Sequence, residues 1–379
     1  MVFKIPLSFP VLNGNESLYA QQALNSGHIA AFGQFINRFE NKLSKRLKTH
    51  EAVALNSGTS ALHLGMVLLG VGPDDEVICQ SFTFCASANP IVYLGANPIF
   101  VDSEKDTWNI CPELLEDTIL SRMAKGKKPK AIVIVHLFGM PAKMKEIVEL
   151  SVKYNIPVLE DAAEAIGSKY QGRYCGTFGR IGVFSFNGNK IITSGGGGAL
   201  VSNDTSFIQH ARHLSTQARE DLPFYHHLEI GYNYKMNNLS AAVGLAQLEQ
   251  LDSCIKSRRL VNQRYRKLLK NFPGIEFQSE SNDSLSNYWL TTILVDKEKT
   301  GFSNNQLKIA LMNKGIESRF LWKPLHTQPV FNMTPYYGGN TAEKLFENGL
   351  CLPSSVDLTL QDQEMIVSVI QEELSKTFK

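Results

Sequence analysis

The chain has 379 residues, 43% of them hydrophobic and 20% charged, which fits one large or two moderate folded domains and not a disordered polymer. With 38 basic residues against 36 acidic ones, it has no field to draw nucleic acid or an anionic membrane. Six scattered cysteines form no CxxC pair, which excludes a disulfide framework or zinc site; with no signal-peptide core and no apolar span of membrane length, a cytoplasmic protein is expected.

In chain order, residues 15–26 and 34–47 read as helices, and in the second Phe35, Phe39, Leu43 and Leu47 recur on one face. Short apolar runs then alternate with helical patterns. Strands are expected at 52–55, 76–79, 98–101, 131–135 and 157–159, with helices at 59–69, 84–94, 112–123 and 141–154. Strands this apolar are expected to be buried on both faces of a mostly parallel sheet covered by helices. The densest basic run, Lys125 to Lys130, contains Gly and Pro and reads as a solvated loop. After a further strand at 183–186, the pattern changes near Asn237. A long helix over 239–269 is followed by a strand at 288–295, a helix at 304–314, a strand at 316–319 and a closing helix at 359–373. This predicts a smaller C-terminal α+β domain (241–379) behind a large α/β domain (1–240). Tyr336-Tyr337-Gly338-Gly339 reads as a loop without a place in that plan.

Ligands of such sheets bind beyond the carboxyl ends of the strands, and three polar clusters fall there. Asn56-Ser57-Gly58-Thr59-Ser60-Ala61 follows a strand and opens a helix, which suits either a phosphate or an ordinary helix cap. Ser81-Phe82-Thr83-Phe84 puts aromatic side chains at the next strand end, as a ring platform or as core. Glu160-Asp161-Ala162-Ala163-Glu164 puts acids at another strand end, to pair with a ligand cation or to cap a helix. The fourth element is Lys190, delivered by the turn Asn187-Gly188-Asn189 between the 183–186 strand and the glycine run Gly195–Gly198. Ile191 and Ile192 beside it suggest a partly desolvated, nucleophilic amine. Together these parts suit pyridoxal phosphate. A lysine binds its aldehyde, a carboxylate keeps its ring nitrogen protonated, an aromatic face covers the ring and a helix start holds the phosphate.

The motifs Ser57-Gly-Thr-Ser-Ala61, Phe82-Thr-Phe84, Glu160-Asp-Ala-Ala163, Ser185, Lys190, Gly195–Gly198 and Gly231-Tyr-Asn-Tyr-Lys-Met236 resemble those of the DegT/DnrJ/EryC nucleotide-sugar aminotransferases. The resemblance runs from Ile5 to the last helix and implies the aspartate-aminotransferase fold. It implies that Lys190 binds the cofactor covalently and moves protons, that Asp161 pairs with the ring nitrogen and that Glu164 lies near the ring hydroxyl. It further implies that Phe84 stacks on the ring and that Gly58, Thr59, Ser60 and Ser185 hold the phosphate. Asn233 is expected to reach that phosphate from the second subunit of a homodimer. Gly196 departs from the acidic residue common in the family's GEGG, and Lys235 from the arginine of NYRM.

By the same resemblance the amino donor is L-glutamate and the acceptor a nucleotide-linked keto sugar. The stretches SFNGNKIITSGGGG, Leu214–Glu220 and Leu321–Gln328 resemble enzymes that aminate C4 of UDP-2-acetamido-2,6-dideoxy-4-keto-hexose. The product there is UDP-2-acetamido-4-amino-2,4,6-trideoxyglucose, a precursor of di-N-acetylbacillosamine and of legionaminic acid. GDP-perosamine-type enzymes share part of this pattern. Arg219, Arg319, Lys323 and His326 are candidates for the diphosphate and Asn187 for the sugar; each reads equally as surface charge or turn. A pyridoxal-phosphate sugar dehydratase is the alternative chemistry, and a lysine in place of the dehydratases' histidine favours transamination. A regulator that binds the cofactor without turnover is the third reading.

Overall fold

The computed structural model describes residues 3–377. Its centre is an eight-stranded sheet in the order Glu51–Leu55, Gly198–Ser202, Ile181–Ser185, Val158–Asp161, Ala131–Val135, Glu76–Gln80, Asn97–Val101, Tyr336–Tyr337. Only Gly198–Ser202 runs antiparallel to its neighbours. The other pairings are parallel. The expected α/β architecture is therefore present, and the strands are buried because helices cover both faces. Of the Ala131–Val135 strand no residue reaches solvent appreciably, which is why it reads as an unbroken apolar run.

Helix Gln34–Leu47 shows how pattern becomes packing. Its four-residue stripe, Phe35, Phe39, Leu43 and Leu47, is fully buried. Each such side chain contributes about 1.5–3 kcal/mol when removed from water. The stripe lies on helix Asn238–Glu249, where Gly244 allows close approach: a Cβ there would be 3.3 Å from Phe39 Cε2. Phe39 also meets Phe186 edge to face at 5.2 Å, so this helix braces the end of the strand that leads to Lys190.

A second, antiparallel sheet in the order Ile275–Phe277, Thr291–Val295, Gly349–Leu352, Arg319–Phe320 forms the smaller α+β part. Its core is shared with helices Leu251–Leu268, Asn304–Asn313 and Leu360–Thr377.

Four expectations are corrected by local geometry. The 84–94 helix is a 3-10 turn, Cys85–Ser87, and a short helix, Asn89–Tyr93, which has Pro at its start. The 239–269 helix is two helices, Asn238–Glu249 and Leu251–Leu268, divided at Gln250. The strand expected from Tyr288 begins at Thr291, since Tyr288 has φ 46° and the Asn287 side chain takes the N–H of Trp289. Tyr336–Tyr337 is a strand, the edge of the large sheet beside Asn97–Val101. Asp102 holds the turn after it, accepting the N–H groups of Gly339, Thr341 and Ala342.

Candidate active site

The strand ends Leu55, Gln80, Val135, Asp161 and Ser185 share one edge of the sheet, and the four clusters meet there. Helix Gly58–Leu68 starts at this edge. Ser57 is its N-cap, with Oγ accepting the Ser60 N–H at 3.0 Å, and Ser60 Oγ in turn donates to Asn56 Oδ1 at 2.6 Å. The first-turn N–H groups of Gly58 and Thr59 have no partner within the helix. The cap therefore leaves these two donors free to meet an anion. Gly58 lies against Ser185: a Cβ on Gly58 would be 3.0 Å from Ser185 Cβ, so the two phosphate candidates from separate strands are neighbours.

Asp161 ends the strand beside Ile181–Ser185 and is 5% exposed. Ser87 Oγ donates to its Oδ2 at 2.7 Å and the Ala163 N–H to its Oδ1 at 3.1 Å. Burial pushes this carboxyl above its ordinary range; the Ser87 and Ala163 bonds and the charge of Lys190 oppose that. Glu164 is also raised by burial, opposed by Lys190 and by the Phe138 N–H. That N–H donates to Glu164 Oε2 at 2.6 Å.

Lys190 Nζ lies 3.6 Å from Glu164 Oε1. The amine is thus held between an acid and an aromatic face, not among apolar side chains as Ile191 and Ile192 suggest. The face is Trp289, 4.1 Å from Nζ to the ring centroid. Trp289 Nε1 donates to the carbonyl of Asn189 at 2.7 Å, and Ser8 Oγ donates to the same carbonyl at 2.8 Å. Buried Arg258 binds both the Trp289 carbonyl and Ser8 Oγ. These residues fix the main chain just before Lys190. Sequence reading missed Trp289 and Arg258 because an aromatic within an expected strand and an arginine in a helix look ordinary.

Behind this, His136 and Glu160 are fully buried and joined at 2.9 Å. Glu160 favours a charged imidazole, but the Ala142 N–H donates to Nδ1 at 3.1 Å, which leaves the proton on Nε2 and the ring neutral.

Phe84 stands at the edge with 49% of its surface exposed, backed by Trp322 at 5.2 Å. Two buried polar atoms here lack a partner: Asn189 Oδ1, one residue before the lysine, and Trp322 Nε1. A carboxylate, an amine, an open aromatic face, a helix start with hydroxyls and unpaired polar atoms fit pyridoxal phosphate.

The substrate candidates are placed less uniformly. Asn187 is exposed, and its carbonyl takes the Lys190 N–H at 3.0 Å, which makes the turn. Arg319 is paired with Glu317 at 2.7 Å and is close enough to Cys351 to oppose the upward push that burial and Glu164 give that thiol. Lys323 is exposed. Arg219, also exposed, lies over the Tyr225 ring at 4.9 Å. His326 is not free to take a diphosphate. Ser81 Oγ is 2.6 Å from its Nδ1, Glu343 is 3.1 Å from its Nε2, and Tyr336 stacks on its face. Asn233 is exposed; its side-chain oxygen accepts from Gln217 and its carbonyl from Asn56.

The DegT/DnrJ/EryC1/StrS aminotransferase family matches residues 10–371, and the chain belongs to that family. It is a sugar aminotransferase dependent on pyridoxal phosphate. The Bacillus subtilis (strain 168) protein named "Putative pyridoxal phosphate-dependent aminotransferase EpsN" is 47% identical over 97% of this chain and 95% of its own length. The GDP-perosamine synthase of Escherichia coli O157:H7 is 40% identical, covering 97% of this chain and 98% of that protein. The solved structure of Helicobacter pylori PseC, an aminotransferase of pseudoaminic acid biosynthesis, superposes with a TM-score of 0.90 at 25% identity, over 99% of this chain and all of that one. Among the described residues, no helix is long and apolar enough to cross a membrane.

Proposed function

We propose that the protein moves an amino group from L-glutamate to C4 of a nucleotide-linked 4-keto-6-deoxy sugar, and that the sugar is UDP-2-acetamido-2,6-dideoxy-4-keto-hexose. The observation that carries the chemistry is the Lys190 amine, 3.6 Å from Glu164 and one strand across from buried Asp161. In this reading Lys190 Nζ would hold the cofactor's aldehyde covalently until the donor's amine displaces it, and the freed amine would then take the proton from the donor's α-carbon. In the second half-reaction it returns a proton to C4 of the sugar. Asp161 holds the proton on the ring nitrogen, and Glu164 keeps the amine in place. Gly58, Thr59, Ser60 and Ser185 bind the phosphate at the helix start. Phe84 covers one ring face and keeps water from it. Pyridoxal phosphate itself supplies an aldehyde that takes up the amine and a ring that accepts electrons.

Residues 1–240 bind the cofactor in this reading, and residues 241–379 border the sugar with Arg319 and Lys323, joined by Arg219 and Asn187. Two copies share their sites, Asn233 of one reaching the phosphate bound by the other. Exposed Phe224, Tyr225, Leu228 and Ile230 in the preceding loop support this, because a second copy would cover them. The UDP-linked acceptor rests on the residues around Lys190 and Trp322. A GDP-linked 4-keto-6-deoxy sugar is the second reading, favoured by the 40% identity to a GDP-perosamine synthase.

The test is an absorbance titration. Glutamate should bleach the lysine-bound cofactor, and only the UDP-acetamido keto sugar should restore it. Restoration by the GDP sugar alone transfers the protein to the second reading. No cofactor band in any condition overturns the role of Lys190.

A further inference from the structure

We propose that Ser87 and Thr83 form a hydroxyl relay that keeps the proton on the cofactor's ring nitrogen, acting through Asp161 as positioning residues. The proposal rests on the assignment of Asp161 to that nitrogen.

The relay has a fixed direction. Ser87 Oγ has one hydrogen, which goes to Asp161 Oδ2 at 2.7 Å. The 2.9 Å contact between Thr83 Oγ1 and Ser87 Oγ is therefore donated by Thr83. Thr83 and Ser87 are 2% and 1% exposed, so water does not compete for either bond. Ser87 reaches the carboxylate only because the chain makes the 3-10 turn Cys85–Ser87 directly after Phe84. One short segment thus presents Phe84 outward and Ser87 inward toward the acid.

A buried carboxylate and a pyridine nitrogen can share one proton in two ways. The proton can sit on nitrogen, opposite a carboxylate, or on oxygen, opposite a neutral ring. Both arrangements keep the hydrogen bond, but only the first makes the ring a strong electron acceptor. Burial of Asp161 favours the second arrangement. Opposing it are the bonds from Ser87 and Ala163 and the charge of Lys190. The His136 ring makes no bond to the Asp161 carboxylate, its Nδ1 being taken by the Ala142 N–H, and Lys190 Nζ is paired with Glu164. That leaves the Ala163 N–H and the Ser87 hydroxyl, and only the hydroxyl is strengthened by a second donor behind it.

The experiment is nitrogen-15 NMR of holoenzyme loaded with ring-labelled pyridoxal phosphate, for wild type, Ser87→Ala and Thr83→Val. Wild type should give a pyridinium resonance. Ser87→Ala should move it toward neutral pyridine, and Thr83→Val should move it part of the way. The glutamate half-reaction should slow roughly tenfold to a hundredfold in Ser87→Ala, as expected for one hydrogen bond to a charge. A merely structural role would lower cofactor occupancy without moving the resonance. An unmoved resonance in loaded Ser87→Ala overturns the proposal. Should Ser87→Ala fail to fold or load, Thr83→Val decides alone, and its unmoved resonance overturns the proposal equally. A neutral ring in loaded wild type likewise overturns the proposal, whereas a wild type with no lysine-bound cofactor band faults the assignment of Lys190.

Discussion

Gly198 offers the sharpest test of where the phosphate cradle lies. It opens the antiparallel strand and is paired with Leu55 on one side and Ser185 on the other. A Cβ added there would lie 2.4 Å from the carbonyl carbon and oxygen of Ser57 and 2.6 Å from the Gly58 nitrogen. Those are backbone atoms of the cradle and cannot rotate away. Ordinary carbon contacts begin near ~3.5 Å, so Gly198→Ala must push the loop back by about 1 Å. Overpacking of this kind costs about 1–3 kcal/mol of stability. A displacement of that size in a binding geometry costs roughly a hundredfold, or about 2.7 kcal/mol. Gly196→Ala is the control from the same glycine run, since its Cβ would meet nothing within 4 Å and its φ is not positive. Cofactor titration of the stripped protein, followed by absorbance, should show Gly198→Ala weakened roughly a hundredfold and Gly196→Ala unchanged; urea unfolding should place Gly196→Ala within about 0.5 kcal/mol of wild type. If Gly198→Ala binds the cofactor within about threefold of wild type, the helix start at Gly58 is not the phosphate site and the reasoning fails.

Lys190→Ala should abolish transamination while leaving the unfolding transition of the protein in place; appreciable product from that variant would sink the mechanism. Asn233→Ala should shorten cofactor retention in dialysis, and unchanged retention would remove the cross-subunit contact. A pH series separates the charge at Asp161. Burial raises this carboxyl, so its contribution to stability is fully present below the ordinary carboxylate range and is lost as pH rises through the raised value. In cofactor-free protein, Asp161→Asn should therefore gain on wild type as pH rises; a pH-independent difference in urea midpoint would contradict the shift.

Most of the sheet was legible because apolar runs bounded by Gly and Pro leave few alternatives, and Ala131–Val135 is a case in point. That the candidate clusters stand at strand ends was legible for the same reason. What sequence could not supply was the side-chain partnership across elements. His326 reads as an available cation, yet it is enclosed by Ser81, Glu343 and Tyr336, which lie far from it in the chain or within an unplaced loop. Ser87 was hidden inside an expected helix. On a regular helix it would sit one turn beyond Phe84, whereas the 3-10 turn sends it to Asp161. Trp289 was hidden because its position depends on Tyr288 adopting φ 46°, which no apolar pattern announces.

The glycine run also explains why a single antiparallel strand interrupts a parallel sheet. A parallel connection after Ser185 would carry the chain down a helix to the far edge before the next strand began. Because Gly198 begins an antiparallel strand beside Ser185, the link between them starts and ends at the same edge. Lys190 is thereby confined to that edge, where its Nζ meets Glu164, three residues beyond Asp161. The returning strand must then begin beneath the helix start at Ser57 and Gly58, where a side chain would collide. Gly197 faces a similar constraint from Ser194 and Met236, whereas Gly196 faces open space. The acidic residue common at position 196 in the family is therefore not excluded by this chain's packing.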